Sequence, residues 1–319
     1  MTATWILVAL GVTLLALGPR LRGTAWMDNS PRLGIAMWQA LCLSAVAVPV
    51  LIGLTLLIPA TAWVAGLAAL VQACALSLQQ AYGFHGDALE SMLGVVLVGT
   101  VVVWTATRFA QDACGTHRER DRVRRSVAKV STAHPTLDMH VVDSPTAAAF
   151  CIPGRSSRVL VTAGAIAALS PEELDGVLAH ERAHLRAHHH LAVSVAGSLS
   201  RAFPWVGLFA TAATQTARLV ELAADDSAAR TVPRVVVASA IVRLAEMRAP
   251  APALAMADCS TPGVTVTRVG RMLSPGRPLR SSRLGLVISA LVLVLSTPVA
   301  VAVAPAAAAA ITHLCSGVS

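Results

Sequence analysis

Lysine is all but missing from this 319-residue chain: Lys129 stands alone against 24 arginines. With Ala and Val abundant, that bias is the mark of GC-rich codons and points to a bacterial source. Ionisable residues are also scarce, at 13% of the chain, and aromatics make up 4%. Set against 55% hydrophobic residues and a mean hydropathy of +0.66, so little charge excludes an ordinary soluble protein and implies a membrane protein. The six cysteines, at 42, 74, 114, 151, 259 and 315, form no C-x-x-C pair, which argues against both a disulfide framework and a cysteine metal site. No basic stretch precedes the first apolar run, so a cleaved signal peptide is not expected. The formal charge of +8 resides in arginines that crowd beside apolar segments, and membrane topology accounts for them without a nucleic-acid partner.

What the chain does contain begins with apolar runs. Residues 2–18, 34–58, 91–110 and 284–304 are each long enough to cross a bilayer. Arg20, Arg22 and Arg32 follow the first run, and Arg118, Arg120, Arg122, Arg124, Arg125 and Lys129 follow the third. Both clusters belong in the cytoplasm by the positive-inside rule, as do Arg268, Arg271, Arg277, Arg280 and Arg283 ahead of the last run. Parity then requires residues 59–90 to be external or re-entrant, although 61–78 is apolar enough to span. The chain divides into a three-span membrane region at 1–110, a cytoplasmic domain at 111–283, a last span at 284–304 and a short external tail at 305–319. The same arginine clusters suit anionic lipid headgroups.

Within the cytoplasmic part, His180-Glu181-Arg182-Ala183-His184 has the spacing that turns one helix face into a zinc site. The helix is expected independently of that motif. Ser170-Pro171-Glu172-Glu173 reads as an N-cap, a first-turn proline and a capping-box glutamate, followed by apolar Leu174, Val177, Leu178 and Leu185. A catalytic zinc also needs a third protein ligand and an open position for water. His190 stands where one zinc-peptidase pattern wants a third histidine, but Ala187 occupies the place of its turning glycine. On an unbroken helix His190 lies about 240° around the axis from His184. The rival is Glu221-Leu222-Ala223-Ala224-Asp225, whose two carboxylates share a helix face 37 residues beyond His184. Glu221 is then the third ligand, and Asp225 accepts the free N–H of a ligating histidine. Taken alone, the pair is an acidic helix surface, since Asp226 follows.

Residues 137–142 and Arg158, Val159, Leu160, Val161 and Thr162 read as strands separated by a Pro/Gly/Ser-rich loop, the second running into the metal helix. Residues 191–213 are apolar, yet a single crossing there would put Glu221 and His184 on opposite faces of the bilayer. Arg201, Pro204 and Gly207 interrupt the run, which leaves a buried helix or a membrane-dipping hairpin. His188, His189 and His190 at its start read as solvated or interfacial, with His188 also continuing the 180/184 face towards the rim.

Ala149-Phe150, Gly154, Val159-Leu160-Val161-Thr162, Gly164, Glu173-Leu174, the HExxH helix and Glu221-x-x-x-Asp225 resemble the membrane gluzincins over residues 137–230. These comprise the CAAX prenyl endopeptidases, the bacterial heat-shock membrane proteases and the β-lactam-sensing signal transducers. The resemblance implies a mainly α, multi-pass membrane protein of about four transmembrane helices carrying an inserted α+β zincin-like metallopeptidase domain. It implies Zn2+ as cofactor, a protein or peptide substrate, and Glu181 as the general base beside His180, His184 and Glu221. It also implies that an edge strand beside the metal holds extended substrate by β-augmentation, for which Arg158–Thr162 is the candidate, with an ordinary core strand as the alternative. Tyr82, the single tyrosine, lies outside the domain and cannot be the oxyanion donor. Three functions follow: a regulatory protease cutting a cytoplasmic repressor at the bacterial plasma membrane, a quality-control or prenyl-processing protease, and an inactive membrane receptor. Relatives of the second kind place two more apolar helices after the metal helix.

The expected orientation is testable through the cysteines. An impermeant thiol reagent applied to intact cells should label Cys315 and spare Cys114, Cys151 and Cys259; labelling of Cys151 would reverse the orientation.

Overall fold

The computed structural model describes residues 2–57, 88–154, 157–247, 262–274, 276 and 279–316. Its N-terminal part is α1 (Thr2–Arg20), a short α2 (Ala25–Asn29), α3 (Pro31–Leu57) and α4 (Ala88–Val130), and its last element is α11 (Ser281–Ser316). α1, α3, α4 and α11 are long and apolar enough to cross a membrane. Pro49 inside α3 and Pro298 and Pro305 inside α11 are tolerated as they are in membrane helices, where neighbouring groups satisfy the freed carbonyls. α3 and α4 meet closely at Gly53 and Gly94. A Cβ on Gly94 would lie 2.7 Å from the Gly53 carbonyl oxygen, so only glycine lets the two backbones approach there. Segment 59–90, read from sequence as external or re-entrant, lies almost wholly outside the described residues.

α4 is longer than a span requires. Its 43 residues extend about 65 Å, and the half bearing Arg118 to Lys129 continues as helix beyond the apolar part before it reaches the sheet. α11 likewise continues through the expected tail to Ser316.

The sheet has four strands, β1 (Ser131–Ala133), β2 (His140–Val142), β3 (Ala149–Ile152) and β4 (Arg158–Thr162), in the order β1-β2-β4-β3. β4 is parallel to β2 and antiparallel to β3, with Phe150 opposite Leu160. This corrects two expectations. The loop composition between the anticipated strands conceals β3. And β4 is not an edge: it runs between β2 and β3, with Leu160 and Val161 paired on both sides, Arg158 and Val159 paired to β3, Thr162 paired to β2, and Val159 to Thr162 buried. The edge positions belong to β1 and β3.

β4 also does not lead directly into the metal helix. Thr162 caps α5 (Ala163–Ala168), its hydroxyl accepting from the Ala165 N–H, and only then does α6 (Pro171–Arg186) begin. α6 starts with the expected capping box: Ser170 Oγ accepts from the Glu173 N–H at 3.2 Å, and Glu173 Oε2 accepts from the Ser170 N–H at 2.9 Å. Its apolar face, with Val177 and Leu178, packs on Met139, Val159, Val161 and Ala240.

The chain turns at His188, in the left-handed region at φ 52°, to form α7 (His189–Ala202), α8 (Gly207–Ala228), α9 (Arg234–Glu246) and α10 (Pro262–Leu273). α7 and α8 form the hairpin that brings the chain back. Leu199, Leu208, Phe209, Leu219 and Leu222 share one core with Leu7 and Leu14 of α1, Trp38 and Leu41 of α3, and Ala302 of α11. α8, which carries Glu221, is thereby packed into the membrane bundle.

Glu173 bears most on the seating of α6. It is 5% exposed, and its second oxygen accepts from the Ser239 hydroxyl and pairs with Arg243 at 3.1 Å. Burial would raise its pKa, but the Ser239, Ser170 and Arg243 partners outweigh that and hold it below the usual carboxylate range. Glu173→Ala should therefore destabilise the protein by about 1–3 kcal/mol in detergent unfolding at neutral pH. Because the folded pKa is depressed, the ionic share of that stability is present above the unfolded value. The deficit should narrow as pH falls below about 4 and the wild-type carboxyl protonates.

Candidate metal centre

α6 presents His180 and His184 one turn apart, and α8 returns Glu221 against both. His180 Nε2 and His184 Nε2 are 3.1 Å apart, and the Glu221 carboxylate oxygens lie 3.5 Å from each. These three are the group of His, Cys, Asp or Glu side chains among the described residues that could hold a metal ion.

The surroundings fix how the ligand atoms point. His180 Nδ1–H donates to Asp225 Oδ1 at 2.9 Å, which leaves Nε2 facing the other two groups. His184 is held in the same sense from the other side, its Nδ1 lying 3.1 Å from Nδ1 of His189. Asp225 has no exposed surface and would be costly as an isolated charge. It is paired twice, to His180 and to the Arg268 guanidinium, which reaches both its oxygens at 2.7 and 2.8 Å. Arg268 also lies 3.1 Å from Glu221.

Protonation equilibria follow from this packing. Burial would depress His180, but its bonds to Asp225 and Glu221 prevail and push it up to about 10. Burial, with cationic His180 beside it, brings His184 down to about 3, and burial brings His189 down to about 4. Burial also raises the carboxyl of Glu181. Glu221 and Asp225 are held low in spite of burial, Glu221 by the hydrogen bond and charge of His180, and Asp225 by Arg268 and then His180. Two imidazole nitrogens and one carboxylate oxygen converge on one point, and each histidine's other nitrogen already has a buried partner. That donor set fits zinc with an open coordination position.

Sequence reasoning brought His180, Glu181, His184, Glu221 and Asp225 to one place, and the structure assembles them there. It missed three residues. His189, read as solvated or interfacial, is buried against His184, because the turn at His188 swings it back; His190 instead stacks with His188 at 6.0 Å. Arg268 was grouped with the cytoplasmic cluster. Cys151, on edge strand β3, hydrogen-bonds Glu181, and burial and that carboxylate push its thiol up, so it stays protonated. Arg268 and Cys151 leave no local signature, since the contacts are made across 43 and 30 residues of chain.

This fold and site define a class, the membrane gluzincin metallopeptidases. Residues 115–284, more than half of the chain, match Peptidase family M48, and the chain belongs to that family. It is similar to a protein named Protease HtpX homolog from Gemmatimonas aurantiaca, at 35% identity over 101 residues, 32% of this chain and 35% of that protein. The aligned part thus spans about a third of that relative's length. No solved structure matches the chain.

The pairings around Asp225 predict a graded loss of metal. Asp225→Asn and Arg268→Gln should each weaken zinc affinity by about 10- to 100-fold, and Glu221→Ala or His184→Ala should abolish stoichiometric binding, as measured by chelator competition. Full occupancy in Glu221→Ala would remove Glu221 from the site.

Proposed function

We propose that this protein is a zinc-dependent endopeptidase of the bacterial plasma membrane, with residues 111–283 as its catalytic domain facing the cytoplasm and residues 1–110 and 284–304 as its membrane anchor. The observation that carries this reading is the convergence of His180, His184 and Glu221 with Glu181 alongside. A zinc ion held by His180, His184 and Glu221 would supply Lewis acidity towards water and towards the scissile carbonyl. Glu181 takes the proton of the attacking water and delivers it to the leaving nitrogen. Its raised pKa suits both halves of that transfer. The Cys151 thiol holds the carboxylate in place from the sheet side. Asp225 and Arg268 keep His180 and Glu221 oriented through the cycle.

The substrate segment would pair with β3. It is the edge strand next to the metal helix, and its Cys151 reaches Glu181, so a chain added along its free side passes the base in extended form. Backbone pairing of that kind makes little demand on side-chain sequence, which suits a protease with many substrates.

Of the two proteolytic roles, quality control of membrane or misfolded proteins is favoured. The apolar run of residues 191–213, folded into the α7–α8 hairpin, lies where this branch carries two apolar helices, though neither α7 nor α8 is among the helices long and apolar enough to cross a membrane; the chain is also similar to a protein named Protease HtpX homolog. Cleavage of a cytoplasmic repressor is the competing role. Comparing the proteomes of cells expressing wild type and Glu181→Gln separates them. Glu181→Gln should retain about one zinc per chain while losing peptide hydrolysis by at least ~100-fold. Many membrane proteins should then accumulate uncut in the variant. A single cytoplasmic protein cut by wild type alone would establish the repressor role, and unchanged proteomes together with no hydrolysis by wild type would mean an inactive receptor.

A further inference from the structure

The α7–α8 hairpin does more than return Glu221 to the site. Residues 202–217 contain no ionisable side chain. The inner side of the hairpin packs on the candidate spans: Trp104 Nε1–H of α4 donates to the Ala202 carbonyl at 2.9 Å, and Gln39 Nε2–H of α3 donates to the Ala192 carbonyl at 3.1 Å. Gly18 of α1 makes room for Leu208, whose Cδ1 would lie 2.3 Å from a Cβ at that position.

None of the described residues covers the outer side. Leu191 and Val195 on α7 are 52% and 37% exposed, and Trp205 at the tip is 71% exposed. Where α8 faces outward, Thr214 returns its hydroxyl to the Ala210 carbonyl, so this surface asks little of water. Guanidinium groups border the apolar part: Arg201 is bidentate on Asp112, Arg22 binds the Thr211 hydroxyl, and Arg108 lies 4.4 Å over the Trp104 ring. An apolar tip with an exposed tryptophan, bordered by arginines and continuous with the membrane bundle, has the composition of a membrane interface.

We infer that the tip of this hairpin, with the outer face of α7, is seated in the interfacial layer of the bilayer, with lipid as its partner, without crossing. α7 is 14 residues, about 21 Å, too short for the roughly 30 Å hydrocarbon core. The two arms end on the same side, since His184 before the hairpin and Glu221 after it are 3.5 Å apart. α7 begins at His189, against His184, so the metal centre is one short helix away from the lipid contact. The contact therefore sets the height of the centre above the membrane.

The test uses the full-length protein in phosphatidylcholine nanodiscs. The Trp205 emission is obtained as the difference between wild type and Trp205→Phe. Lipids brominated high on the acyl chain should remove most of that component, lipids brominated near the chain end should remove less, and aqueous acrylamide should have little effect. A carbene-generating lipid probe provides a second reading without substitution, and it should label the peptide that contains Leu191, Val195 and Trp205. Acrylamide quenching without bromolipid quenching would place the tip in water. Protection from both quenchers would mean that a second copy or another protein covers it. Either result, or absence of label on that peptide, overturns the inference.

Discussion

A carboxylate sealed from solvent stays ionised only if other charges and hydrogen bonds replace its water, and Asp225 is such a carboxylate. The His180 imidazole lies on one side of it and the Arg268 guanidinium on the other. One pairing orients a ligand. The other ties α10, the helix before the last candidate span, to α8. Arg271, one turn further along α10, continues the link to Asp226 of α8 and to the Asp28 carbonyl of α2. The metal centre, α10 and the connection between the first two spans thus share one polar network. Deleting one partner from it leaves a buried charge uncompensated, a loss of about 3–5 kcal/mol.

The second constraint is geometric. Ligands on α6 and α8 must meet on one side of the membrane, so the apolar chain between them has to turn back. It does so at residues 203–206, and its packing among Leu7, Leu14, Trp38 and Leu41 makes the hairpin part of the membrane bundle. Catalytic domain and membrane region are consequently less separate than a boundary at residue 110 suggests. In the proposed enzyme, the height of the centre above the bilayer is part of the fold.

How much of this could be read from sequence depended on the range of the signal. The capping box at Ser170 and Glu173, the His180/His184 spacing and the Glu221/Asp225 spacing are all governed by helix geometry within a few residues, and each residue stands where that geometry requires. The same rule hid His189: five residues past His184 it belongs on another face, and only the left-handed backbone at His188, an unusual conformation for a residue other than glycine, brings it back. Strand β3 was concealed because four residues between a proline-rich loop and a glycine carry almost no pattern, and the choice of edge strand followed from that omission. Strand order is set by long-range pairing, so composition alone could not show that β4 is enclosed.

The central claim is that two histidines of α6 and a glutamate of α8 form a zinc centre. X-ray absorption at the zinc edge of the purified full-length protein tests it directly. The account predicts two imidazole nitrogens at about 2.0–2.1 Å and carboxylate and water oxygens at about 2.0–2.2 Å. A shell of three imidazoles, or protein that retains no zinc at neutral pH, would contradict it.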